Sequence, residues 1–252
     1  MRWMASLGLC LVVSLALPAD AGVRAPRALD SGFAHVDGIS MFYQVYGKGA
    51  PILLIHGGLS DADVWHRQIA TLSARHRVIV ADSRGQGRST RDERPITYDL
   101  MAADYLALLD HLDLPAVALV GWSDGGIIGL DIAIHHPGRL SKMFIQAANA
   151  TPDGVDGDAV LPEMRHHKSV KREIEALWAH EPNFTAAQLR SITVPTLVVI
   201  GDLDEVISPD QTAMLAREIP GARLLVLPDV GHSAPLEDPA GYAAAVLNFV
   251  DG

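Results

Sequence analysis

Residues 120–126, VGWSDGG, place Ser123 between Gly121 and Gly125 and directly before Asp124. The preceding AVALVGW is a short apolar run, and the following IIGLDIAIHHPG has helical periodicity and a Pro-Gly stop. A sharp turn from a buried strand into a helix is therefore predicted at Ser123. Side chains two positions before and after the serine would collide in such a turn, so both positions require glycine. The pattern predicts an exposed nucleophile at a helix N-terminus.

A serine hydroxyl is a poor nucleophile unless a base accepts its proton. Most of the eleven histidines lie at predicted helix ends or in a basic helical stretch, where plainer roles explain them. His232 differs, because it follows the strand LLVLPDV in the loop VGHSAPLEDP, and a helix is predicted to begin only at about Pro239. A loop at the carboxyl end of a strand can project His232 towards Ser123. His232 is therefore the predicted base.

The base must itself be oriented by a third group, which is usually a carboxylate. The segment PTLVVIGDLDEVISP offers Asp202, Asp204 and Glu205 just past a predicted buried strand. Asp204 is the predicted acid, because the turn that begins at Gly201 carries the chain around before this side chain points back to the histidine. The reverse assignment, with Asp202 as the acid and Asp204 in the turn, stays open.

The N-terminal residues 1–21 have the features of a secretory signal peptide: a short basic start, an apolar stretch and small residues before a cleavage position near Ala21. An uncleaved membrane anchor is the alternative, but the apolar run from Leu7 to Leu17 is short for a bilayer. We expect an exported protein, periplasmic or secreted, without stable membrane insertion after cleavage. Cys10 is the only cysteine, so the mature chain would contain neither disulfides nor thiol chemistry.

The remaining length suffices for one α/β domain with a substantial core. The formal net charge is −10, and the chain has no long basic stripe. This charge distribution argues against nucleic acids and anionic membrane surfaces as partners. The expected partner is a small-molecule substrate, and the sequence leaves the oligomeric state open.

Short apolar runs alternate with helical patterns along the chain, which predicts an α/β protein with a mostly parallel central sheet of about eight strands flanked by helices. Strands are predicted at Phe33–Asp37, Met41–Tyr46, Ile52–Ile55, Val78–Asp82, Ala116–Trp122, Met143–Ala147, Thr196–Ile200 and Leu224–Leu227. Helices are predicted at Val64–Ala74, Asp99–Leu112, Gly125–His136, Asp210–Ile219 and Pro239–Val250. The first two strands are expected to form a hairpin around Gly38.

The alternation breaks at residues 149–190, where an acidic loop and, over residues 161–185, one or two helices are predicted. We interpret this segment as a short helical cap insertion, and residues 30–148 and 191–252 as the core. An insertion at this position can fold over the carboxyl ends of the strands, where ligands bind in open α/β sheets.

The chain resembles the α/β-hydrolase fold family, whose members order their catalytic parts as nucleophile, acid and histidine. Besides VGWSDGG, GDLDEV and VGHSAP, the resemblance includes LLIHGGLSDADVW after a strand and the turn ADSRGQGRS. It implies that the backbone N–H groups of Gly58, with Leu59, and of Asp124 form an oxyanion hole. Leu59, Trp122 and Asp124 are the candidate substrate contacts.

Within the family, GWSDGG followed by a strand and AANA is similar to biphenyl-hydrolase-like and valacyclovir-hydrolase-type esterases, which cleave amino-acid esters. The resemblance implies that the Asp124 carboxylate pairs with a cationic group of the substrate. The alternative is that Asp124 stabilises the helix, because a negative side chain in the first turn of a helix is favoured by about 0.3–1 kcal/mol.

Together these patterns predict a serine hydrolase that cleaves a small ester through an acyl-enzyme, with Ser123, His232 and Asp204 as its catalytic triad. No metal or organic cofactor is expected, because the sequence contains no HExxH, Walker or dinucleotide motif. A lactonase or a carbon–carbon bond hydrolase would use the same three residues. A rival of another class is a ligand-binding or receptor protein that retains the fold.

Overall fold

The structure is a computed structural model, and it describes residues 26–155 and 170–252. The predicted signal peptide of residues 1–21, including Cys10, lies outside the described residues. So do residues 156–169 of the predicted cap insertion. No helix in the described ranges combines the length and the apolar character needed to cross a bilayer.

The central sheet has eight strands in the order β1-β2-β4-β3-β5-β6-β7-β8. Their bounds are Asp30–Val36 (β1), Ile39–Tyr46 (β2), Pro51–Ile55 (β3), Arg77–Ala81 (β4), Val117–Trp122 (β5), Leu140–Gln146 (β6), Thr196–Gly201 (β7) and Arg223–Leu227 (β8). Strand β2 pairs antiparallel with both β1 and β4, and the pairs from β4 to β8 are all parallel. The predicted hairpin is present, with Asp37 and Gly38 at its turn. The mostly parallel α/β sheet is confirmed.

Helices cover both faces of this sheet. The described α-helices are His66–Ser73 (α1), Tyr98–His111 (α2), Asp124–His135 (α3), Lys171–His180 (α4), Ala186–Ser191 (α5), Pro209–Glu218 (α6), Ala234–Glu237 (α7) and Pro239–Asp251 (α8). One apolar cluster joins the sheet to α2, α3 and α6, and a second joins it to α1 and α8. The site therefore rests on a sheet that is packed on two sides.

Strand β5 shows why the central strands are continuous apolar runs. All six of its residues are buried, and successive side chains point to opposite faces of the sheet. Leu119 packs into the cluster on the α3 face, whereas Val120 packs into the cluster on the α8 face. Full burial of such a side chain stabilises the fold by about 1.5–3 kcal/mol, so the strand that leads into Ser123 is firmly held.

Two short helices depart from the sequence-based expectation. The prediction that no helix begins before about Pro239 is wrong, because α7 starts at Ala234, two residues after His232. A four-residue helix is too short to show a hydrophobic period. Helix α5 was also not predicted, although Thr185 and Gln188 form a capping box at its start.

Candidate active site

The turn between β5 and α3 is closed by two very close backbone approaches. A Cβ atom at Gly121 would lie 2.3 Å from the Gly125 carbonyl oxygen, and one at Gly125 would lie 2.1 Å from the Ile55 carbonyl oxygen. Ser123 between them has a φ of 54°, in the left-handed region that non-glycine residues rarely adopt. Its N–H donates to the Gln146 carbonyl at 2.8 Å. The backbone thus holds the serine in a strained conformation at the start of α3.

The structure brings His232 and Asp204 into direct contact. His232 Nδ1 lies 3.1 Å from Asp204 Oδ1 and 3.3 Å from Oδ2, and only 1% of each side chain is exposed. Asp204 Oδ1 also accepts the N–H groups of Val206 and Ile207 at 2.9 and 2.8 Å. Asp202 is exposed instead. Of the two aspartates weighed from the sequence, Asp204 is the one that contacts the histidine.

This pairing fixes the tautomer of the imidazole. An ionised carboxylate can only accept hydrogen bonds, so Nδ1 of His232 carries the hydrogen that Asp204 accepts. The lone pair of the neutral ring then lies on Nε2, which is the atom that can take a proton.

The loop around His232 is anchored through its own backbone. Its carbonyl accepts Trp122 Nε1–H at 2.9 Å and Gln146 Nε2–H at 3.2 Å, and its N–H donates to Glu205 Oε2 at 3.1 Å. The indole of Trp122 is buried, with its centroid 5.8 Å from that of the imidazole. Trp122 therefore supports the histidine loop. Its role as a substrate contact stays a prediction.

The loop that follows β3 carries the predicted oxyanion donors. The N–H of Leu59 donates to Gln86 Oε1 at 2.6 Å, and the Leu59 side chain is buried in the apolar core. Because this N–H already has a buried partner, Gly58 and Asp124 are the two amides that best fit the oxyanion prediction. The substrate contact predicted for Leu59 is untested.

The segment ADSRGQGRS forms hydrogen bonds with the loop that follows β3. Ser83 N–H donates to His56 Nε2 at 2.9 Å, and Ala62 N–H donates to Asp82 Oδ1 at 2.8 Å. Although burial favours the neutral acid, hydrogen bonds from the Arg88 side chain and from backbone N–H groups lower the pKa of Asp82. A carboxylate that stays ionised is a strong hydrogen-bond acceptor at neutral pH. We therefore infer that this turn positions the oxyanion loop and takes no part in the chemical steps.

Asp124, the first residue of α3, is buried, with 3% of the residue exposed. Its Oδ1 accepts Tyr98 Oη–H at 3.0 Å, and Trp178 Nε1 lies 2.9 Å from Oδ1 and 3.1 Å from Oδ2. Burial raises the pKa of Asp124 to about 6, against the opposing effect of the hydrogen bonds from Tyr98 and Trp178 and of the nearby His232. The substrate-anchor interpretation of this residue stays a prediction.

The described residues contain no group of three or more His, Cys, Asp or Glu side chains arranged to bind a metal ion. The candidate site consists of a serine, an imidazole, a carboxylate and backbone amides.

The sequence profile described as the alpha/beta hydrolase fold matches residues 50–168 and 156–239. The chain belongs to the α/β-hydrolase fold family. Proteins similar to this chain also indicate that it is a hydrolase.

Two curated relatives of this α/β hydrolase match over most of their length. The putative carbamate hydrolase RutD of Azorhizobium caulinodans is 28% identical over 260 residues, covering 86% of this chain and 97% of the relative. The serine hydrolase BPHL of Mus musculus is 28% identical over 253 residues, covering 88% and 87%. A solved thermophilic esterase from Thermogutta terrifontis, in a malate-bound structure, is 25% identical with a TM-score of 0.71, covering 90% of this chain and 98% of the esterase.

Three residues of this α/β hydrolase were not identified from the sequence, namely Gln86, Tyr98 and Trp178. Gln86 lies within the predicted turn motif, which was a usable signal for a positioning role. Tyr98 and Trp178 gave no such signal, because they lie 26 and 54 residues from Asp124. Only the packing of α2 and α4 on the start of α3 brings them to the carboxylate.

Proposed function

We propose that this α/β hydrolase is a serine esterase that cleaves a small carboxylic ester through an acyl-enzyme. The contact of 3.1 Å between His232 Nδ1 and Asp204 Oδ1 carries the proposal. It leaves Nε2 as the only ring atom able to accept a proton, in a loop that Trp122, the neighbour of Ser123, supports. A buried pair of this kind on the same sheet edge as a partly exposed nucleophile is the arrangement that acyl transfer needs.

In the acylation step, Ser123 Oγ attacks the ester carbonyl carbon while His232 Nε2 accepts the hydroxyl proton. The carbonyl oxygen becomes negatively charged, and the backbone N–H groups of Gly58 and Asp124 stabilise it. The bond between the carbonyl carbon and the alcohol oxygen then breaks. His232 donates the proton to the departing alcohol, and the acyl group stays on Ser123.

Water completes the reaction by the same route. His232 Nε2 takes a proton from water as its oxygen attacks the acyl carbonyl, and collapse of the second tetrahedral intermediate returns the proton to Ser123 Oγ. Asp204 keeps its negative charge throughout and stabilises the transient imidazolium. The products are a carboxylic acid and an alcohol.

The esterase from Thermogutta terrifontis supports an ester as the substrate class, and the serine hydrolase from mouse supports a serine nucleophile. A lactonase or a carbon–carbon bond hydrolase would use the same residues and differ in how the pocket holds the substrate. A panel of p-nitrophenyl esters, lactones and diketones, assayed with the purified protein, separates these classes. Ester turnover well above the other two is the expected result.

The nucleophile is tested with a fluorophosphonate, which labels activated serines. The parent protein should be labelled, and Ser123→Ala should lose both labelling and hydrolysis while it stays folded, because the change removes one hydroxyl. Ser31→Ala is a matched control, since Ser31 is exposed on β1. Retained labelling of the Ser123→Ala protein would refute the assignment.

We also propose that residues 1–21 are a signal peptide that is cleaved near Ala21 on export, and that residues 149–190 form a cap over the site. The mass of protein recovered from the periplasm or medium of a Gram-negative expression host tests the first point. A full-length mass, or protein retained in the cytoplasm, would contradict it.

A further inference from the structure

The Asp124 carboxylate lies where three separate elements meet. It is at the N-terminus of α3, next to Ser123. Tyr98, which donates to it, is the first residue of α2, where Thr97 Oγ1 caps the helix by accepting Leu100 N–H. Trp178, the other donor, lies on α4 in the segment between β6 and β7.

The oxyanion loop touches the same carboxylate. A Cβ atom at Gly58 would lie 2.4 Å from Asp124 Oδ2 and 2.6 Å from Trp178 Cζ2. Contacts this short mean that the carboxylate and the indole pack directly on the backbone of residue 58. Any shift of Trp178 or Asp124 would therefore change the contacts of the peptide unit that is the proposed oxyanion donor.

A second hydrogen bond, close to the one between Trp178 and Asp124, links the end of α4 to α2. Tyr98 N–H donates to Glu181 Oε2 at 3.1 Å, and Glu181 follows directly after α4. Ile174 and Leu177 of α4 are buried in the core. Helix α4 is thus attached to the start of α2 and α3 by its apolar face, by Trp178 and by Glu181.

We propose that Asp124 is a positioning residue, whose carboxylate clamps Trp178 of α4 onto the nucleophile turn and thereby holds Gly58 in place beside Ser123. The effect of this clamp on catalysis rests on the proposed function. The clamp itself is a packing arrangement that exists without any substrate.

The chemistry of the contacts supports this role. Both oxygens of Asp124 accept hydrogen bonds from neutral donors, and bonds to an ionised acceptor are about twice as strong as neutral ones. Burial raises the pKa of Asp124 to about 6, so the carboxylate is ionised and the clamp at full strength at neutral pH. The titratable groups that face this arrangement are Tyr98 itself, His232 from the histidine loop and Glu181 from the end of α4.

The first test is the rate of labelling by a fluorophosphonate. Trp178→Phe keeps an aromatic ring, although a smaller one, and removes the indole N–H donor. We expect the labelling rate and kcat for a neutral ester to fall about tenfold or more, because a hydrogen bond to a charged acceptor is lost. KM should change much less, because the clamp acts through Gly58 on the transition state. Tyr98→Phe should cause a loss in the same direction.

Trp65→Phe is the matched control. Trp65 is fully buried, more deeply than the partly buried Trp178, and among the described residues its indole N–H has no hydrogen-bond partner. This variant should be labelled within about twofold of the parent rate. A Trp178→Phe protein that is labelled as fast as the Trp65→Phe protein would overturn the proposal.

The second test requires no activity. Ionisation of Asp124 beside the Trp178 indole should produce a step in tryptophan emission with a midpoint near pH 6. The step should be missing in both Asp124→Asn and Trp178→Phe. Persistence of the step in Trp178→Phe would refute the clamp. If the parent protein were not labelled at all, the proposed function would fail, and the emission titration would still decide whether the clamp exists.

Discussion

The two carboxylates of the candidate site are held in different ways. Asp204 is fixed by its own loop, because the N–H groups of Val206 and Ile207 donate to it two and three residues further along the chain. Asp124 is fixed by side chains 26 and 54 residues away, on α2 and α4. Asp204 is therefore positioned by a local turn. Asp124, next to the nucleophile, is positioned by the packing of helices α2, α3 and α4.

The difference also sets what each carboxylate can do. In the proposed mechanism, Asp204 faces an imidazole that becomes positively charged during acyl transfer, so its negative charge is used in the reaction. Asp124 faces two neutral donors, and its burial is compensated only in part, which raises its pKa to about 6. The proposed role of Asp204 is therefore in the chemical steps, and that of Asp124 is in positioning the site.

The largest effect is expected on the acid side. Asp204→Asn should lower kcat for a p-nitrophenyl ester by about 10⁴-fold, because an amide can neither stabilise the imidazolium nor enforce the tautomer. Asp202→Asn is the control and should change kcat far less, since this residue is exposed. The reverse ranking in steady-state assays would make Asp202 the acid.

A smaller loss of kcat is expected when a methyl group is added at Gly58, beside Asp124 and Trp178. In Gly58→Ala the new Cβ meets the Asp124 carboxylate and the Trp178 ring, so the oxyanion loop must shift. We expect kcat to fall by about 10²–10³-fold, comparable to the loss of one oxyanion donor. Gly138→Ala provides the comparison, because nothing lies within 4 Å of its Cβ position. Equal activity of the two variants would show that Gly58 does not need its close contacts.

The effect of substrate charge on kcat/KM distinguishes a positioning role of Asp124 from direct binding of the substrate amine. Both Asp124 oxygens already accept hydrogen bonds, so Asp124→Asn should change kcat/KM for amino-acid esters and for neutral esters of equal size by the same factor. The comparison needs only steady-state rates on matched substrate pairs. A selective loss for the amino-acid esters would instead establish the carboxylate as the partner of the substrate amine.

The smallest effect concerns stability. Burial raises the pKa of Asp124 in the folded protein to about 6, above the ordinary value of 3.8 for this carboxyl group, so the folded state binds this proton more tightly than the unfolded state. Its contribution to the free energy of unfolding is present below about pH 4 and is lost as the pH rises through about 6. Between pH 4.5 and 7.5 the parent should lose on the order of 2 kcal/mol relative to Asp124→Asn.

Urea unfolding of both proteins at the two pH values measures this difference. The pKa of Asp104 is also raised to about 6, by burial, although Arg84 opposes the rise. Asp104 is unchanged in the variant, so its contribution cancels in the comparison. A difference between parent and variant that does not depend on pH would contradict the raised pKa of Asp124.

The sequence predicted the elements that have a period or a sharp boundary. All eight strands were placed within a few residues, and α3 was predicted at Gly125–His136 and lies at Asp124–His135. Helix α7 was not predicted, because four residues carry no period. The contact of Asp204 with His232 follows from the order of the strands, since parallel strands β7 and β8 bring the two loops to one edge.

By itself, the sequence determined the α/β sheet, the strained turn at Ser123 and the choice of histidine, because each depends on residues that are neighbours along the chain or on the strict order of strands. Only the tertiary structure decided that Gln86 takes the N–H of Leu59 and that Tyr98 and Trp178 converge on Asp124. Hydrogen bonds between distant side chains depend on how helices pack on the sheet. The packing is set by the whole core and leaves no local pattern in the sequence.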